Sequence, residues 1–176
     1  MLTRLSLLLF IVLLSAPVFA AVTVEMPLDD LIRNADVVVH GTVKVSKSFR
    51  NGEDSRINTE HTIEVKEYLK GTGETRIKVL TLGGEVGDFG QLVPGEARFK
   101  RNEEVVLCLV KAKDAYVVFS LAQGKFKVDR PEGKDPLLVR DYSGLLFVGE
   151  KGFTKPKPTR TIPFRTMREL IQKVTD

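Results

Sequence analysis

The chain of 176 residues contains one cysteine, two histidines and no tryptophan. A single cysteine excludes an intramolecular disulfide framework and any cysteine-rich zinc site. Two histidines leave little material for a histidine-based metal centre. The sequence also lacks H-E-x-x-H, G-x-S-x-G, the phosphate-binding G-x-x-x-x-G-K-[ST] and C-x-x-C, so the common zinc-protease, hydrolase, nucleotide-binding and thiol-redox signatures are missing. It shows no internal repeat and no low-complexity tract. What is present is ordinary for a globular chain. Hydrophobic residues make up 43% and charged residues 28%, too apolar for a disordered protein and short enough for one domain.

The first segment reads as an export signal rather than as part of the fold. Arg4 supplies a positive start, Leu5–Leu14 form an apolar stretch interrupted by Ser6, Ser15-Ala16-Pro17 breaks it, and Val18-Phe19-Ala20 offers small residues for cleavage. That anatomy predicts a secretory signal peptide over 1–20, removed before Ala21. The apolar run is shorter than the ~20 residues that a membrane-spanning helix needs. No cysteine lies at the cleavage site, which excludes an acylated lipoprotein of the bacterial kind. The mature chain is expected to be secreted or periplasmic. Its lone Cys108, inside Val105–Val110, is expected as a small buried apolar side chain.

Along the mature chain the hydrophobic period sets the elements. Pro27–Ala35 predicts a short helix, with Asp29 and Asp30 near its positive end and Leu28, Leu31 and Ile32 on one face. Val37–Ser46 alternates with its odd residues apolar, and Ile57–Leu69 does the same with His61 on the buried face. His40, of opposite parity, is expected to be solvated. The polar Phe49–Arg56 segment carries Asn-Gly, so the two runs predict a long antiparallel hairpin. Arg76–Leu82 is a third strand, Glu104–Lys111 a strand buried on both faces, and Tyr116–Leu121 and Lys125–Val128 follow. Gly83–Gly95 holds five glycines and a proline and reads as a loop or a bulged strand. Leu137–Arg140 and Leu145–Val148 predict two short strands around an Asp141–Gly144 turn. Lys151–Arg168 is a basic, proline-containing connector into a helix over Phe164–Val174. The fold class expected is mainly β: a small antiparallel OB-like β-barrel with a short N-terminal helix and a C-terminal helix. The barrel is assigned to 21–128 and a C-terminal extension to 129–176.

A family resemblance rests on Asn34–Val43 (NADVVVHGTV), Thr59–Gly71 (TEHTIEVKEYLKG), Arg76–Thr81, the Gly-rich stretch and Glu103–Val110. In this order they resemble the netrin-like module of the tissue inhibitors of metalloproteinases, over about Ala21 to Lys125. The pattern of Gly83–Gly87 and Gln123–Phe126 is also similar to that of secreted bacterial proteins. The resemblance implies an OB-type barrel. It also implies a role for the mature N-terminus, whose free amine and carbonyl chelate a protease's zinc in those inhibitors. Ala21 occupies the corresponding position here, where the inhibitors carry a disulfide-bonded cysteine.

The residues themselves predict no catalytic set, no metal set and no cofactor site. Glu60 and Glu64 are expected to pair across strands with lysines such as Lys44. Glu85, Asp88 and Phe89 lie in the Gly-rich segment, which reads equally as a recognition loop with Phe89 as its anchor or as a bulged strand relieved by glycine. With Ala21 and Val22 they form the expected partner-binding set. The basic connector suits a solvated linker or a weak contact with an anionic surface, and the absence of an aromatic ladder argues against nucleic acid. The function expected is a secreted or periplasmic, non-enzymatic binding module that recognises a protein, a zinc protease among the candidates. An envelope-associated structural domain is the alternative.

Overall fold

The computed structural model describes residues 20–52, 55–150 and 152–175; the expected signal peptide, Ala20 aside, lies outside them. The chain begins with β1 (Ala21–Thr23) and α1 (Leu28–Asn34), then runs through β2 (Val37–Arg50), β3 (Ile57–Lys70) and β4 (Arg76–Leu82). A small hairpin, β5 (Gly84–Val86) and β6 (Phe89–Gln91), precedes β7 (Glu104–Ala112) and β8 (Ala115–Val118). After a 3-10 turn (Leu121–Gly124) come β9 (Lys125–Asp129), β10 (Leu137–Asp141), β11 (Leu145–Gly149), β12 (Gly152–Thr154), β13 (Thr159–Pro163) and α2 (Phe164–Thr175).

The long alternating runs pair as a meander, β2 with β3 and β3 with β4. The other edge of β2 takes β7, and β8 folds back on the C-terminal half of β7. β8 then lies parallel to β4, with Val79 opposite Tyr116 and Leu80 opposite Val117. The ring β2-β3-β4-β8-β7 is thereby closed. It is a small OB-like barrel, antiparallel at every seam except β4–β8, and closure removes the free edges that an open sheet of this size would expose. The N-terminal half of β7 also pairs with β9, and β10 and β13 continue outward from there. Of the C-terminal segment, β10 and β13 therefore extend the same sheet.

Two hydrophobic cores follow from parity. Val37, Val39, Val43, Ile63, Ile77, Val79, Val105, Leu107 and Leu109 fill the barrel. Val38, Val106 and Cys108 point the other way and meet Leu31 and Ile32 of α1 and Phe164, Met167 and Ile171 of α2. β7 is buried on both faces because helices cover the outside of the sheet there. α1 is closed at its C-terminal end by Lys70, whose Nζ donates to the carbonyls of Ile32, Arg33 and Ala35 at 2.9, 2.9 and 2.6 Å, a cation placed at the negative end of the helix.

Three expectations change. His40 is not solvated: it is 7% exposed, its Nε2 lies 2.6 Å from Glu104 Oε1, and Phe164 of α2 stands edge-on to its ring. The helix that covers it comes from the far end of the chain. Val45, expected on the buried face, is 53% exposed, because a register shift between Val43 and Val45 inverts the parity of the rest of β2. β10 and β11 do not pair around their turn. β10 joins the main sheet, whereas β11 forms a three-stranded sheet with β12 and, in parallel, with β1.

Candidate functional site

Beyond Val43 the β2–β3 hairpin runs past the end of β7, and its inner face carries polar side chains where the barrel carries aliphatic ones. The register inversion in β2 turns Ser46, still exposed, and the half-buried Ser48 toward His61 and Thr59 of β3. Ser46 Oγ lies 2.7 Å from His61 Nδ1, and His61 Nε2 lies 2.9 Å from Thr81 Oγ1. Ser48 Oγ is 2.9 Å from Thr59 Oγ1, which donates to the Gly83 carbonyl at 2.7 Å. Phe99 lies against the imidazole with ring centroids 4.4 Å apart.

The Gly-rich segment covers this row and leaves a cleft of about 570 Å³ between them. Its position is fixed by polar ties: the Glu85 amide donates to Ser48 Oγ at 3.3 Å and the Ile57 amide donates to Gln91 Oε1 at 2.7 Å. Gly84 has φ +133 and passes so close to Thr59 and Ser48 that a Cβ would run into both hydroxyls. Glycine is required at this crossing for conformation and for space. The segment is therefore neither a plain loop nor a bulged strand; it is a short hairpin laid across the end of the barrel.

Electrostatically the cleft favours neutral groups. Burial and then the charge of Lys125 lower the His61 pKa to about 4, so the ring is neutral at physiological pH, and its two hydroxyl partners satisfy either tautomer. Burial also raises the Glu96 carboxyl above its ordinary range. The Ser46–His61 distance is that of a nucleophile and its base. An imidazole held near 4 is a weak general base, however, and its second nitrogen faces a hydroxyl rather than an orienting carboxylate. The pair acts as a half-buried polar tie. Among the described residues no group of three or more His, Cys, Asp or Glu side chains is placed to hold a metal ion.

Compared with known proteins, the chain matches no family model, no curated protein and no solved structure.

The five residues expected to bind a partner fall in two places. Glu85, Asp88 and Phe89 sit together on the β5–β6 hairpin; all three are exposed, and the Arg50 guanidinium lies over the Phe89 ring at 4.6 Å. Ala21 and Val22 belong to β1. The Ala21 amide donates to the Gly144 carbonyl at 2.8 Å, and its side chain packs in a small cluster around Tyr142, Leu145 and Phe147. Gln123 holds the segment that follows, accepting from the Met26 amide at 2.8 Å and donating to the Val24 carbonyl at 3.0 Å. The N-terminal stretch is thus fixed without a disulfide. Sequence reasoning missed Ser46 and Ser48, whose inward turn depends on the bulge. It also missed Gln123, a buried amide whose only sequence signal is its polarity within Leu121–Gly124.

Proposed function

We propose that the chain is an exported, non-enzymatic binding module that recognises a protein partner at the end of the barrel crossed by the β5–β6 hairpin. One observation carries the reading. Phe89 is 65% exposed on a hairpin tied to the barrel through the Glu85 amide and the Gln91 side chain. An exposed aromatic on a pre-ordered element loses little conformational freedom on binding and is the kind of side chain that dominates interfaces. Phe49, Leu82 and Leu92 are further exposed apolar side chains at the same end, and Glu85 and Asp88 supply a charged rim.

The netrin-like resemblance supports protein recognition and makes a zinc protease one partner class. The contact is assigned to the hairpin rather than to the Ala21 amine. For Ala21 to reach a metal, β1 would have to leave β11 and the Ala21–Gly144 bond would be lost.

The test is site-specific cross-linking in the exporting cell, with benzoylphenylalanine placed at Phe89, at Leu92 or, as a remote control, at Glu132. A defined protein adduct is expected from the first two positions and not from the third. Adducts absent from all three positions, or equal at all three, would overturn the reading. If the adduct is a zinc protease, adding one residue before Ala21 leaves its capture unchanged when the hairpin makes the contact and abolishes it when the amine does.

A further inference from the structure

The three-stranded sheet β1-β11-β12 has one face against the protein and one face outward. Ala21, Leu145 and Phe147 pack inward in the cluster around Tyr142. The register puts Val22 beside Leu146 and Val148 beside Phe153, and alternation sets these four opposite Ala21, Leu145 and Phe147. The outward face of the three strands therefore carries Val22, Leu146, Val148 and Phe153, all apolar. Val22 and Phe153 are 56% and 69% exposed, Leu146 and Val148 are half-buried, and Val24, just past β1, is 63% exposed. Single exposed apolar residues are ordinary, but an apolar row across three strands of a small exported domain is not.

We infer that this face docks on an anionic lipid surface. The chain leaving β12 carries Lys155 and Lys157, both exposed, on either side of Pro156, which is buried and pins the connector. Of the acids nearby, Glu25 is paired with Arg160, and Glu150 stands at the β11–β12 turn. An apolar face with an exposed phenylalanine, followed in the chain by two exposed lysines that have no ion pair among the described residues, suits the boundary between headgroups and acyl chains. The side chains enter the apolar layer and the ammonium groups meet phosphates. Strands of three, five and three residues form a platform too small for a stable dimer, whose standard interface covers ~800 Å² per partner. The inference concerns a different face from the hairpin end and does not depend on the protein-recognition reading.

Flotation with vesicles tests it, using the protein purified from the exporting cell, so that its N-terminus is the one the cell leaves. The wild type is expected to float with mixed phosphatidylcholine–phosphatidylglycerol vesicles, less so as salt rises, and not with phosphatidylcholine alone. Phe153→Asp is expected to weaken binding about tenfold or more, and Lys155→Glu with Lys157→Glu by about fivefold per lysine. All three side chains are exposed, so thermal melts should match the wild type. Should Phe153→Asp melt early, the lysine pair and the salt dependence still decide. Absence of flotation overturns the inference, as does equal flotation of every variant. A wild-type dimer that Phe153→Asp dissociates would instead place a second copy on this face.

Discussion

His61 is buried between two hydroxyls, with its pKa lowered from 6.5 to about 4 by burial and by Lys125. Because the folded value lies below the unfolded one, the unfolded chain takes up the proton first as pH falls. The neutral ring's contribution to stability is thus complete above about pH 6.5 and is lost progressively toward pH 4. Between about pH 7 and pH 5 the loss is at most about 2 kcal/mol. Glu96, raised by burial, works in the opposite direction as its carboxyl takes up a proton. The difference between variant and wild type is therefore the useful quantity. His61→Asn, with an amide able to bond both hydroxyls, should show a smaller fall in urea-unfolding free energy over that range. A variant with the wild-type fall would assign the dependence elsewhere. His61 was legible from the alternation of β3, because the odd residues around it, Ile57, Thr59 and Ile63, are buried with it. Its neighbour Ser46 was not, since a bulge inverts which face a residue joins and leaves no mark on the polar pattern. His40 shows the other limit: its burial depends on Phe164, and no local pattern reports what a distant helix covers.

At the scale of elements the barrel depends on β2 bending enough to serve two partners along its length. Its register with β3 shifts at three places, one of them between His40 and Gly41. Gly41 is buried there, and a Cβ would sit 2.6 Å from the Glu64 carbonyl oxygen and 2.9 Å from Ile63 Cγ2. Backbone cannot retreat as a flexible side chain can, so Gly41→Ala should destabilise by about 1–3 kcal/mol. The expected result is a lower urea midpoint at unchanged slope. An unchanged midpoint would mean that β2 and β3 separate at this point at little cost. β2, β3, β4, β7, β8, β9, β10, β11 and both helices were readable one by one, because each is amphipathic or apolar over its own length; β12 and β13, inside the segment expected to be a basic connector, were not, since they are short and polar. The pairing of the late strands was not. β10 and β11 have similar short apolar patterns, and their partners are chosen by β9, β13 and β1, which periodicity does not encode.

For the whole molecule the question is whether the barrel and its helical layer open as one. Cys108 reports on both. It sits in β7, at the centre of the sheet, and faces the core shared with α1 and α2. β7 holds β2, β8 and β9 together, so the thiol can be reached only if the helices lift or the sheet comes apart. Burial raises its pKa to about 12, and a thiol is reactive as the thiolate, so the folded protein should be inert to a thiol reagent at neutral pH. The helices supply Phe164, Met167 and Ile171 to that core, all buried. Removing those contacts while the sheet stays intact would expose Val38, Val106 and Phe126 together. The helical layer and barrel are therefore expected to open cooperatively, with labelling of Cys108 rising with urea along the slope of global unfolding. Met167→Ala, expected to cost about 2–5 kcal/mol, should speed labelling by the factor that its stability loss implies, with the urea slope unchanged. Labelling that is fast without urea and insensitive to it would show instead that the helices lift alone, making the barrel the only cooperative unit.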